Sequence, residues 1–464
     1  MTRRAAPHVA VIDIGKTNAK LALVDGVNMQ EIAVLTRPNA VKDAAPYPHF
    51  DVDGIWSFMM DGLSDLQAAH GVDAISVTTH GASGVLLNAD GGLACPVLDY
   101  EHTGPDDLAA AYDALRPDFT ETGSPRLPMG LNLGAQIHWL FETQAGLDSR
   151  TALVATYPQF WSGRLSGSVR CDPSSLGTHT DLWAPYAGAF SGLVETLGLA
   201  GRMAPVTPAD TCLGPVLPEI SRATGLSAET PVYCGIHDSN ASLLPHLLDR
   251  TPPFAVVSTG TWVISMGVGG AKVDLTPERD TLVNVDAMGR PVPSARFIGG
   301  REFELLAHET AQPDDAAIAR VTSGRLFFMP SVEPTSGPYQ GIKGGWSDET
   351  ASPQEKSAAL SYYLALMTSV SLDLIAASGP IIVEGPFGQN RLYLDMLEAA
   401  TGRNTIAAGG TTGTSVGAAL LVGGTRADRP VVEVPPRRDV QAGLPAYAAA
   451  WRDRVRTHMA EGAA

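Results

Sequence analysis

Cysteine is scarce in this chain of 464 residues, and its spacing argues against two classes of protein. The four cysteines, Cys95, Cys171, Cys212 and Cys234, lie far apart, and no Cys-x-x-Cys pair occurs. A disulfide framework and a zinc finger both need characteristic cysteine spacings, so neither is indicated. We therefore expect reduced thiols and a cytoplasmic protein.

Charged residues are also few, at 17% of the chain, and the net charge is −17. This negative charge argues against a general affinity for nucleic acid or for anionic membranes. No apolar run approaches the length of a membrane span. The first ten residues include Arg3 and Arg4 but lead into a predicted strand, so we expect no cleavable signal. The expected partners are small molecules, and the expected assembly is a monomer or a homodimer.

Hydrophobic residues, by contrast, make up 44% of the chain, as in compact globular proteins. The length is sufficient for a large core and for more than one domain. The run Thr251-Pro252-Pro253 interrupts a predicted helix, and we place the domain boundary there. This boundary predicts an N-terminal domain at residues 1–250 and a C-terminal domain at residues 251–464.

The chain is organised around residues 232–244, where a short strand passes through Gly235 into a predicted helix. His237 and Asp238 lie at that junction. Asp is a preferred N-cap residue, so this stretch taken alone favours a structural interpretation of Asp238 as a helix cap. The functional interpretation is a general base at a strand-to-helix junction, where open α/β sheets place their crevices.

A predicted hairpin near the start of the chain is suited to binding phosphate. Residues 9–14 and 19–24 are short apolar runs, and residues 15–18, Gly-Lys-Thr-Asn, form the turn between them. Gly15 lets phosphate approach backbone N–H groups, and Thr17 adds a hydroxyl. Asp13 would hold a hydrated Mg²⁺. An ordinary hairpin with Asp13 as a turn former is the simpler interpretation of this motif alone.

Residues 254–268 repeat this plan, with an apolar strand, a small-residue turn and a second strand. Gly260 and Thr261 take the place of the first turn, and Ser258 takes the place of Asp13. Two such hairpins in one chain predict two related halves that both bind phosphate.

Several further elements are predicted from apolar patterns and turn residues. Residues 74–79 and 84–88 are predicted to pair around a turn that contains His80, which taken alone is more often a packed loop histidine. Further strands are predicted at residues 95–98, 152–155, 323–330 and 380–384. Helices are predicted at residues 157–165, 241–248, 354–378, 392–400 and 447–459. A small-residue turn at 411–417 opens another helix, and residues 426–441 are rich in Pro and Arg.

Four motifs, in this order, resemble the FGGY family of carbohydrate kinases: Asp13-Ile-Gly-Lys-Thr, Gly-Ile-His-Asp238, Ser258-Thr-Gly-Thr-Trp and Glu384-Gly-Pro-Phe-Gly-Gln-Asn390. The resemblance covers nearly the whole chain. It implies an α/β protein with two actin-like (ribonuclease H-like) domains, a cleft between them, and ATP-dependent phosphorylation of a sugar or polyol hydroxyl.

The resemblance also implies roles for individual residues. Asp238 would be the catalytic base, and Asp13 would hold Mg²⁺ through water. The phosphates of ATP would be bound by Gly15, Lys16, Thr17, Asn18, Gly260 and Thr261. Gly385, Phe387 and Asn390 would face the adenosine. The sugar would meet His80, Gly81 and His237, with Asn132, Tyr157 and Asn240 as weaker candidates.

The motifs are most similar to the rhamnulokinase and fuculokinase side of the family. That likeness implies a 6-deoxy-ketohexose such as L-rhamnulose or L-fuculose, phosphorylated at O1. Pentuloses (L-ribulose, L-xylulose) and polyols remain alternatives. The chain departs from the family pattern at Glu384-Gly385-Pro386, where Gly-Gly-Gly is frequent, and at Thr412, where an acidic residue is frequent.

Four other classes of protein are alternatives. An actin- or chaperone-like ATPase has the phosphate hairpins but no sugar pocket. A kinase of the repressor-related sugar family would show a Cys-rich zinc motif, and a DNA-reading regulator would need a module before the first hairpin. A non-catalytic sugar-binding protein would not need Asp13 and Asp238, which are both present.

Overall fold

The computed structural model of the protein describes residues 8–324, 326–408, 413–423 and 442–462. They form two compact units. The described part of the first unit comprises residues 8–249, 283–291 and 413–423, and the remaining described residues form the second. Thr412 and residues 426–441, to which the sequence analysis assigned features, lie outside the described residues.

The first unit begins with a strand-rich segment and continues with mixed helices and strands. Its strands are β1 (His8–Ile14), β2 (Asn18–Asp25), β3 (Gln30–Pro38), β4 (Val41–Lys42), β5 (His49–Phe50), β6 (Ala74–Thr79), β7 (Gly84–Leu87), β8 (Leu153–Thr156), β9 (Trp183–Ala184), β10 (Ala189–Phe190), β11 (Cys212–Pro215), β12 (Pro231–Tyr233) and β13 (Ile236–His237). Its helices are α1 (Val52–His70), α2 (Ala109–Asp113), α3 (Phe119–Thr122), α4 (Leu133–Thr143), α5 (Leu147–Arg150), α6 (Tyr157–Ser166), α7 (Pro173–Leu176), α8 (Gly192–Thr196), α9 (Pro218–Thr224) and α10 (Asp238–Asp249), with a 3-10 turn at Gly104–Leu108.

The main sheet of the first unit has the strand order β11-β12-β6-β1-β2-β3, and β13 continues beside β6. Strands β1, β2 and β3 are antiparallel, whereas β6, β12 and β13 run parallel to β1. Residues Val9 to Ile12 and every residue of β6 are buried, because helices and loops cover both faces of these central strands. The predicted first hairpin is confirmed.

Two strand predictions for the first unit were wrong. Strand β7 does not pair with β6 but with β8, in the register Gly84↔Thr156. Residues 95–98 contribute only an isolated bridge between Leu98 and His49. Sequence periodicity marks a segment as extended but carries no information about its partner, which lies about seventy residues away for β7.

The second unit is built on a second sheet. Its elements are β14 (Phe254–Thr259), β15 (Val263–Val268), β16 (Thr281–Val285), β17 (Pro291–Phe297), α11 (Gly299–Ala307), α12 (Asp315–Thr322), α13 (Pro353–Leu374), β18 (Ile381–Glu384), α14 (Arg391–Thr401) and β19 (Thr405–Ala407), and later in the chain α15 (Thr414–Gly423) and α16 (Leu444–Gly462). Residues Pro277–Arg279 and Pro386–Gln389 form 3-10 turns. Of these elements, α15 packs in the first unit against β1, β6 and α10, and residues 283–285 of β16 and Pro291 of β17 are also grouped with the first unit.

The second sheet has the order β16-β17-β15-β14-β18-β19 and repeats the plan of the first. Strands β14, β15 and β17 are antiparallel, and β18 and β19 run parallel to β14. The predicted repeat of the hairpin is therefore confirmed at the level of strand arrangement. Helix α13 covers this sheet and starts with a capping box between Ser352 and Glu355.

Residues 323–330 do not form the predicted strand. Phe328 makes one isolated bridge to Trp346, and its ring packs 4.9 Å from the ring of Tyr363 on α13. The aromatic residues of this segment fill the core beside a helix, so their hydrophobicity reflects burial and not pairing in a sheet. In the described ranges, no helix is long and apolar enough to span a membrane.

Candidate active site

Three neighbouring strands of the first sheet end at the same edge. The parallel registers Ile14↔Thr79 and Thr79↔His237 align the ends of β1, β6 and β13. The residues that follow, Gly15, His80 and Asp238, are thus brought to one place, where α/β sheets commonly bind ligands. We call this place the first sheet edge.

Gly235 permits the close approach of the β12–β13 segment to β6. Its φ is +90°, and a Cβ atom there would lie 2.6 Å from the carbonyl oxygen of Val77. Only glycine accepts both constraints without strain. The glycine that precedes His237 and Asp238 therefore positions these residues against the neighbouring strand.

The Asp238 carboxylate is in a partly buried position, with 33% of its side chain exposed. Its Oδ1 accepts hydrogen bonds from the Ser239 amide at 2.6 Å and the Ser239 hydroxyl at 3.3 Å. A capping carboxylate accepts from an amide two or three residues further on, so this contact is not a cap. Burial raises the pKa of Asp238, and the nearby His80 opposes that shift.

His237 connects Asp238 to Gly81 and Asn240. Its Nε2 lies 3.2 Å from Oδ1 of Asp238, and its Nδ1 lies 3.4 Å from the side-chain nitrogen of Asn240. A Cβ atom on Gly81 would come within 2.9 Å of the same Nε2. Burial lowers the pKa of His237 to about 4, so its ring is neutral at pH 7. Four residues predicted for catalysis or sugar binding therefore form one contact group.

His80 lies among aromatic rings. Its ring centroid is 5.0 Å from that of Phe50, 5.4 Å from that of Tyr100 and 5.1 Å from that of Tyr157. We call these four residues the aromatic cluster. The His80 Nδ1 lies 2.8 Å from the carbonyl oxygen of Gly81, so that nitrogen donates and Nε2 is left as an acceptor. Burial lowers the pKa of His80 to about 4.

Two polar atoms of this cluster are buried without a partner. In the part of the chain that the structure describes, His80 Nε2 and the Tyr157 hydroxyl make no hydrogen bond. Buried polar atoms nearly always have a hydrogen-bond partner in native proteins. Two neighbouring buried atoms without partners therefore indicate a place for a polar ligand. Both residues were predicted to meet the sugar.

The β1–β2 turn is held from its own strand and from a neighbouring segment. The Gly15 N–H donates to the Asn18 carbonyl at 2.9 Å. Asn39 donates its side-chain N–H to the Gly15 carbonyl at 2.7 Å and its amide to the Thr17 carbonyl at 2.9 Å. Thr17 and Asn18 are exposed and available to a ligand, whereas the Gly15 N–H is used within the turn.

Asp13 lies beside this turn with 15% of its side chain exposed. Its Oδ2 accepts a hydrogen bond from Ser415 at 3.0 Å and is 3.7 Å from Lys20 Nζ. Burial raises the pKa of Asp13, Lys20 and Ser415 lower it, and the charge of Asp238 raises it further. The negative charge of Asp238 thus acts on Asp13 within the same unit.

The donor set at Asp13 fits Mg²⁺. Among the described residues, no group of three or more His, Cys, Asp or Glu forms a closed metal site. Mg²⁺ in phosphoryl-transfer enzymes usually needs only one or two carboxylates and completes its coordination with water and phosphate. A single, largely buried carboxylate next to a turn that is predicted to bind phosphate meets this requirement.

The side chain of Lys16 points away from the turn in which its backbone is predicted to bind phosphate. Its Nζ contacts Asp99 Oδ1 and lies 3.1 Å from Glu101 Oε2. It also lies 4.5 Å from the ring centroid of Tyr100 and 5.3 Å from that of Phe50. The side chain of Lys16 is therefore directed to the aromatic cluster. In this structure only its backbone remains in the turn.

Asn132 has its side chain bonded entirely to protein. Its Oδ1 accepts from the Leu127 amide at 2.7 Å. Its amide nitrogen lies within 3.2 Å of the Ser124 hydroxyl, the Pro125 carbonyl and the His179 carbonyl. Asn132 is fully buried and holds the loop before α4, so the structure gives it a structural place and not an open position toward a sugar.

The second unit contains a cavity of about 560 Å³ beside the β14–β15 turn. It is lined by Thr259, Gly260, Thr261, Gly300, Phe303, Glu304, Pro386, Phe387, Gln389 and Asn390. The cavity thus contains four of the predicted nucleotide-binding residues. Aromatic walls with a few polar groups are typical of sites for flat ligands.

Close backbone packing shapes this cavity. Gly385 has a φ of +79°, and a Cβ atom there would lie 1.9 Å from the Thr259 carbonyl oxygen. The Thr259 hydroxyl accepts a hydrogen bond from the Phe387 amide at 3.1 Å. Asn390 caps α14 by accepting from the Tyr393 amide at 3.2 Å and donates to Ser361 at 3.0 Å. Asn390 therefore shapes the wall of the cavity, and its side chain is already bonded.

Several residues at these two places were missed by sequence reasoning. In the first unit they are Asn39, Phe50, Asp99, Tyr100 and Ser415, and in the second they are Gly300, Phe303 and Glu304. They come from segments distant in sequence and match no short motif. One signal was available: the polar run Asp99-Tyr100-Glu101 directly follows an apolar segment.

Comparisons with known proteins agree with this geometry. Residues 8–245 match the N-terminal domain of the FGGY family of carbohydrate kinases, and residues 251–430 match the C-terminal domain of carbohydrate kinase FGGY. Both units have the actin-like α/β fold of such enzymes. The chain belongs to the FGGY family of carbohydrate kinases.

Three relatives give the range of similarity. The crystal structure of a carbohydrate kinase from Novosphingobium aromaticivorans has 34% identity and a TM-score of 0.88, covering 96% of this chain and 100% of that chain. An L-fuculokinase from Salmonella typhi is 25% identical over 57% of this chain and 57% of its own. A probable L-xylulose kinase from Pasteurella multocida is 26% identical over 55% of each. The chain thus matches little more than half the length of these curated relatives.

Proposed function

We propose that the protein transfers the γ-phosphoryl group of ATP to a hydroxyl of a sugar. The sugar we propose is a ketose such as L-rhamnulose or L-fuculose. The observation that carries this proposal is the first sheet edge. It combines a carboxylate with a raised pKa, Asp238, with unpaired buried polar atoms on His80 and Tyr157. Membership of a carbohydrate kinase family supports the same conclusion.

In this proposal Asp238 is the general base. It directly follows β13, a third of its side chain is exposed, and His237 Nε2 lies 3.2 Å from its Oδ1, so it can face an acceptor hydroxyl. Asp238 accepts the hydroxyl proton as the new O–P bond forms, and ADP leaves with the electrons of the broken bond. A carboxylate with a raised pKa is a better proton acceptor than an ordinary one.

Phosphoryl transfer mainly needs positioning and neutralisation of charge. Thr17 and Asn18 are exposed at the β1–β2 turn and would contact phosphate, as would Gly260 and Thr261 at the second turn. Asp13 would hold a hydrated Mg²⁺, which offsets negative charge on the phosphates. The cavity beside Phe303 and Phe387 would take the adenosine.

The sugar is proposed on narrower grounds. The L-fuculokinase relative favours a 6-deoxy-ketohexose, and the probable L-xylulose kinase keeps a pentulose as the alternative. The aromatic cluster favours an acceptor with an apolar C–H face, because such faces stack on aromatic rings. His80 Nε2 and the Tyr157 hydroxyl would then bond to hydroxyl groups of the sugar.

A screen of acceptors tests the proposal. ADP release from ATP would be measured with L-rhamnulose, L-fuculose, L-ribulose, L-xylulose, aldoses and polyols, and without any acceptor. The expected result is ADP release that depends on one ketose and matches the sugar phosphate formed. An actin- or chaperone-like ATPase would release ADP at the same rate without sugar, and that result would refute the proposal.

A further inference from the structure

The side chain of Lys16 points away from the turn to which its backbone belongs. A lysine in a phosphate-binding turn would be expected to aim its ammonium at phosphate. Here the ammonium bridges Asp99 and Glu101 and lies over the ring of Tyr100, 4.5 Å from its centroid. Only about a fifth of the Lys16 side chain is exposed, so the ion pair is not a loose surface contact.

We propose that the Lys16 side chain serves the acceptor and not ATP: bound to Asp99 and Glu101, it forms a charged wall of the acceptor pocket that selects uncharged sugars. This inference rests on the proposed function, because it assigns a role within the same site. It changes the expectation for one residue that the motif alone placed on the phosphates.

Geometry connects this wall to the reacting group. Tyr100 stands between Asp99 and Glu101 in the chain, and its ring centroid is 5.4 Å from that of His80. Burial, and after it the charges of Glu101, Asp238 and Asp99, raises the pKa of Tyr100 to about 12. Lys16 and Asp238 both act on His80 as well. The Tyr100 ring thus lies next to both the Lys16 ammonium and the His80 ring, and we place the acceptor beside these groups and Asp238.

The buried, unpaired Nε2 of His80 is a second observation in favour of a ligand there. An ammonium group has three N–H donors, and Asp99 and Glu101 account for two of them. In this proposal the third N–H donates to a hydroxyl of the acceptor. A sugar between His80 and Lys16 would thus meet an acceptor atom on one side and a donor on the other.

Charge defines the class of substrate. Lys16, Asp99 and Glu101 together carry a net charge of −1, and ionised Asp238 adds another negative charge. His80 and His237 are neutral at pH 7 because burial lowers the pKa of each to about 4. A sugar acid would bring a like charge into this volume, and like charges placed together cost several kcal/mol. The pocket therefore favours an uncharged acceptor.

Kinetics of Lys16→Met, Lys16→Arg and the control Lys42→Met test the proposal. Lys42 is also ion-paired in the first unit, to Asp51, but it lies outside the proposed site. For Lys16→Met we expect the KM of the sugar to rise at least about tenfold, as for loss of a charged hydrogen bond, with the KM of ATP changed less than about twofold. Lys16→Arg should recover part of the loss, and Lys42→Met should match the wild type.

Opposite results would overturn the inference. A raised KM for ATP with an unchanged KM for the sugar would place Lys16 on the phosphates. An unchanged KM for both, with a lower Tm, would make the ion pair purely structural. If Lys16→Met does not fold, Glu101→Gln gives the same comparison from a largely exposed residue. A wild type that phosphorylates no sugar would instead refute the proposed function.

A second measurement tests the charge selection. The wild type should use its ketose at least about 100-fold better, in kcat/KM, than a sugar acid of the same length. Removing both negative charges in Asp99→Asn/Glu101→Gln should reduce this ratio at least about tenfold. An equal ratio in wild type and variant would show that these carboxylates do not select the acceptor.

Discussion

The two sheets have the same arrangement but carry different chemistry at their edges. The first sheet edge carries Asp13 near the end of β1, His80 directly after β6 and Asp238 directly after β13, all with shifted pKa values. At the matching places of the second sheet stand Ser258 and Gly385, beside a cavity with aromatic walls. The same strand arrangement therefore carries titratable groups in the first sheet and small and aromatic residues in the second.

In the proposed function, this contrast corresponds to proton chemistry and sugar binding in the first unit and nucleoside binding in the second. A general base needs a carboxylate whose pKa is adjusted by burial. A purine site needs flat apolar walls and close backbone, as at Phe303 and Gly385. If the two units divide the work in this way, a substitution in one unit should leave the binding function of the other unaffected.

Asp238→Asn should cause the largest loss of the catalytic function proposed for the first unit. The amide keeps the size of the side chain but cannot accept the proton, so kcat should fall by about 10²–10⁴, the usual contribution of a general base. Steady-state kinetics and calorimetry with ATP would measure it, and ATP affinity should change less than about twofold, since the change is small and local. Asp90→Asn, in an exposed turn of the same unit, is the control. A variant with near-normal kcat would remove Asp238 from the mechanism.

Asp13→Asn tests whether only the first of the two hairpins contributes to binding of Mg²⁺. Asp13 would hold Mg²⁺, whereas the matching Ser258 carries no charge, so only Asp13 should matter for the metal. We expect kcat/KM for ATP to fall by about 10²-fold, as for loss of one electrostatic contact to the transferred group. Titration with Mg²⁺ at fixed ATP should also show a higher half-saturating concentration. Ser258→Ala is the matched control, and an equal Mg²⁺ effect in both variants would contradict the contrast.

Phe303→Ala tests the nucleoside site proposed in the second unit. Phe303 lines the cavity with 37% of its surface exposed, so its removal costs less in folding than that of a core aromatic. Loss of one stacking ring typically weakens binding of a base by about 1–3 kcal/mol, so the Kd of ATP should rise about tenfold. Binding of the sugar, measured by calorimetry, should not change. Tyr186→Ala, an aromatic exposed to a similar extent in the first unit, is the control; the account fails if both variants bind ATP alike.

The smallest effect on catalysis concerns the histidines. His80 and His237 have pKa values of about 4 in the folded chain and near 6.5 when unfolded. Between those values the unfolded chain binds more protons, so the free energy of unfolding should fall as the pH is lowered from 6.5 toward 4. By pH 5 the expected loss is roughly 2 kcal/mol for each histidine. The rate should show no step near pH 6.5, because both rings stay neutral there.

Denaturant titrations at pH 7 and pH 5 measure this loss. A variant with both His80→Asn and His237→Asn should lose less stability on acidification than the wild type. His308→Asn is the control, because the His308 side chain is largely exposed. Equal losses in all three proteins would show that the two buried histidines do not titrate as described.

Motifs in the sequence predicted the parts of the site that depend on short local segments. The hairpins at β1–β2 and β14–β15 and the junction at Asp238 follow from apolar runs, glycines and their spacing. The side chain of Lys16 could not be placed in this way. Its ammonium can bind either phosphate or the carboxylates of Asp99 and Glu101, which are distant in sequence. The residues of the turn alone do not determine which of these partners it binds.

Long-range contacts set the other limits. The pairing of β7 with β8 and the burial of Phe328 against Tyr363 depend on segments far apart in the chain. Asn132 looked like a polar loop residue open to a ligand, but its four contacts are with its own loop and His179. A polar residue after a strand is compatible with either role, and only the positions of its partners decide between them.

Hydrogen–deuterium exchange of the wild type, with each ligand added alone, tests the division between the two units most directly. The account predicts that the sugar identified by the acceptor screen protects residues 78–82, 98–101 and 236–240 and leaves residues 299–304 and 385–390 unchanged. ADP with Mg²⁺ should protect residues 258–262, 299–304 and 385–390, together with the turn at 15–18. Protection of residues 385–390 by the sugar alone, or none there with ADP, would contradict it.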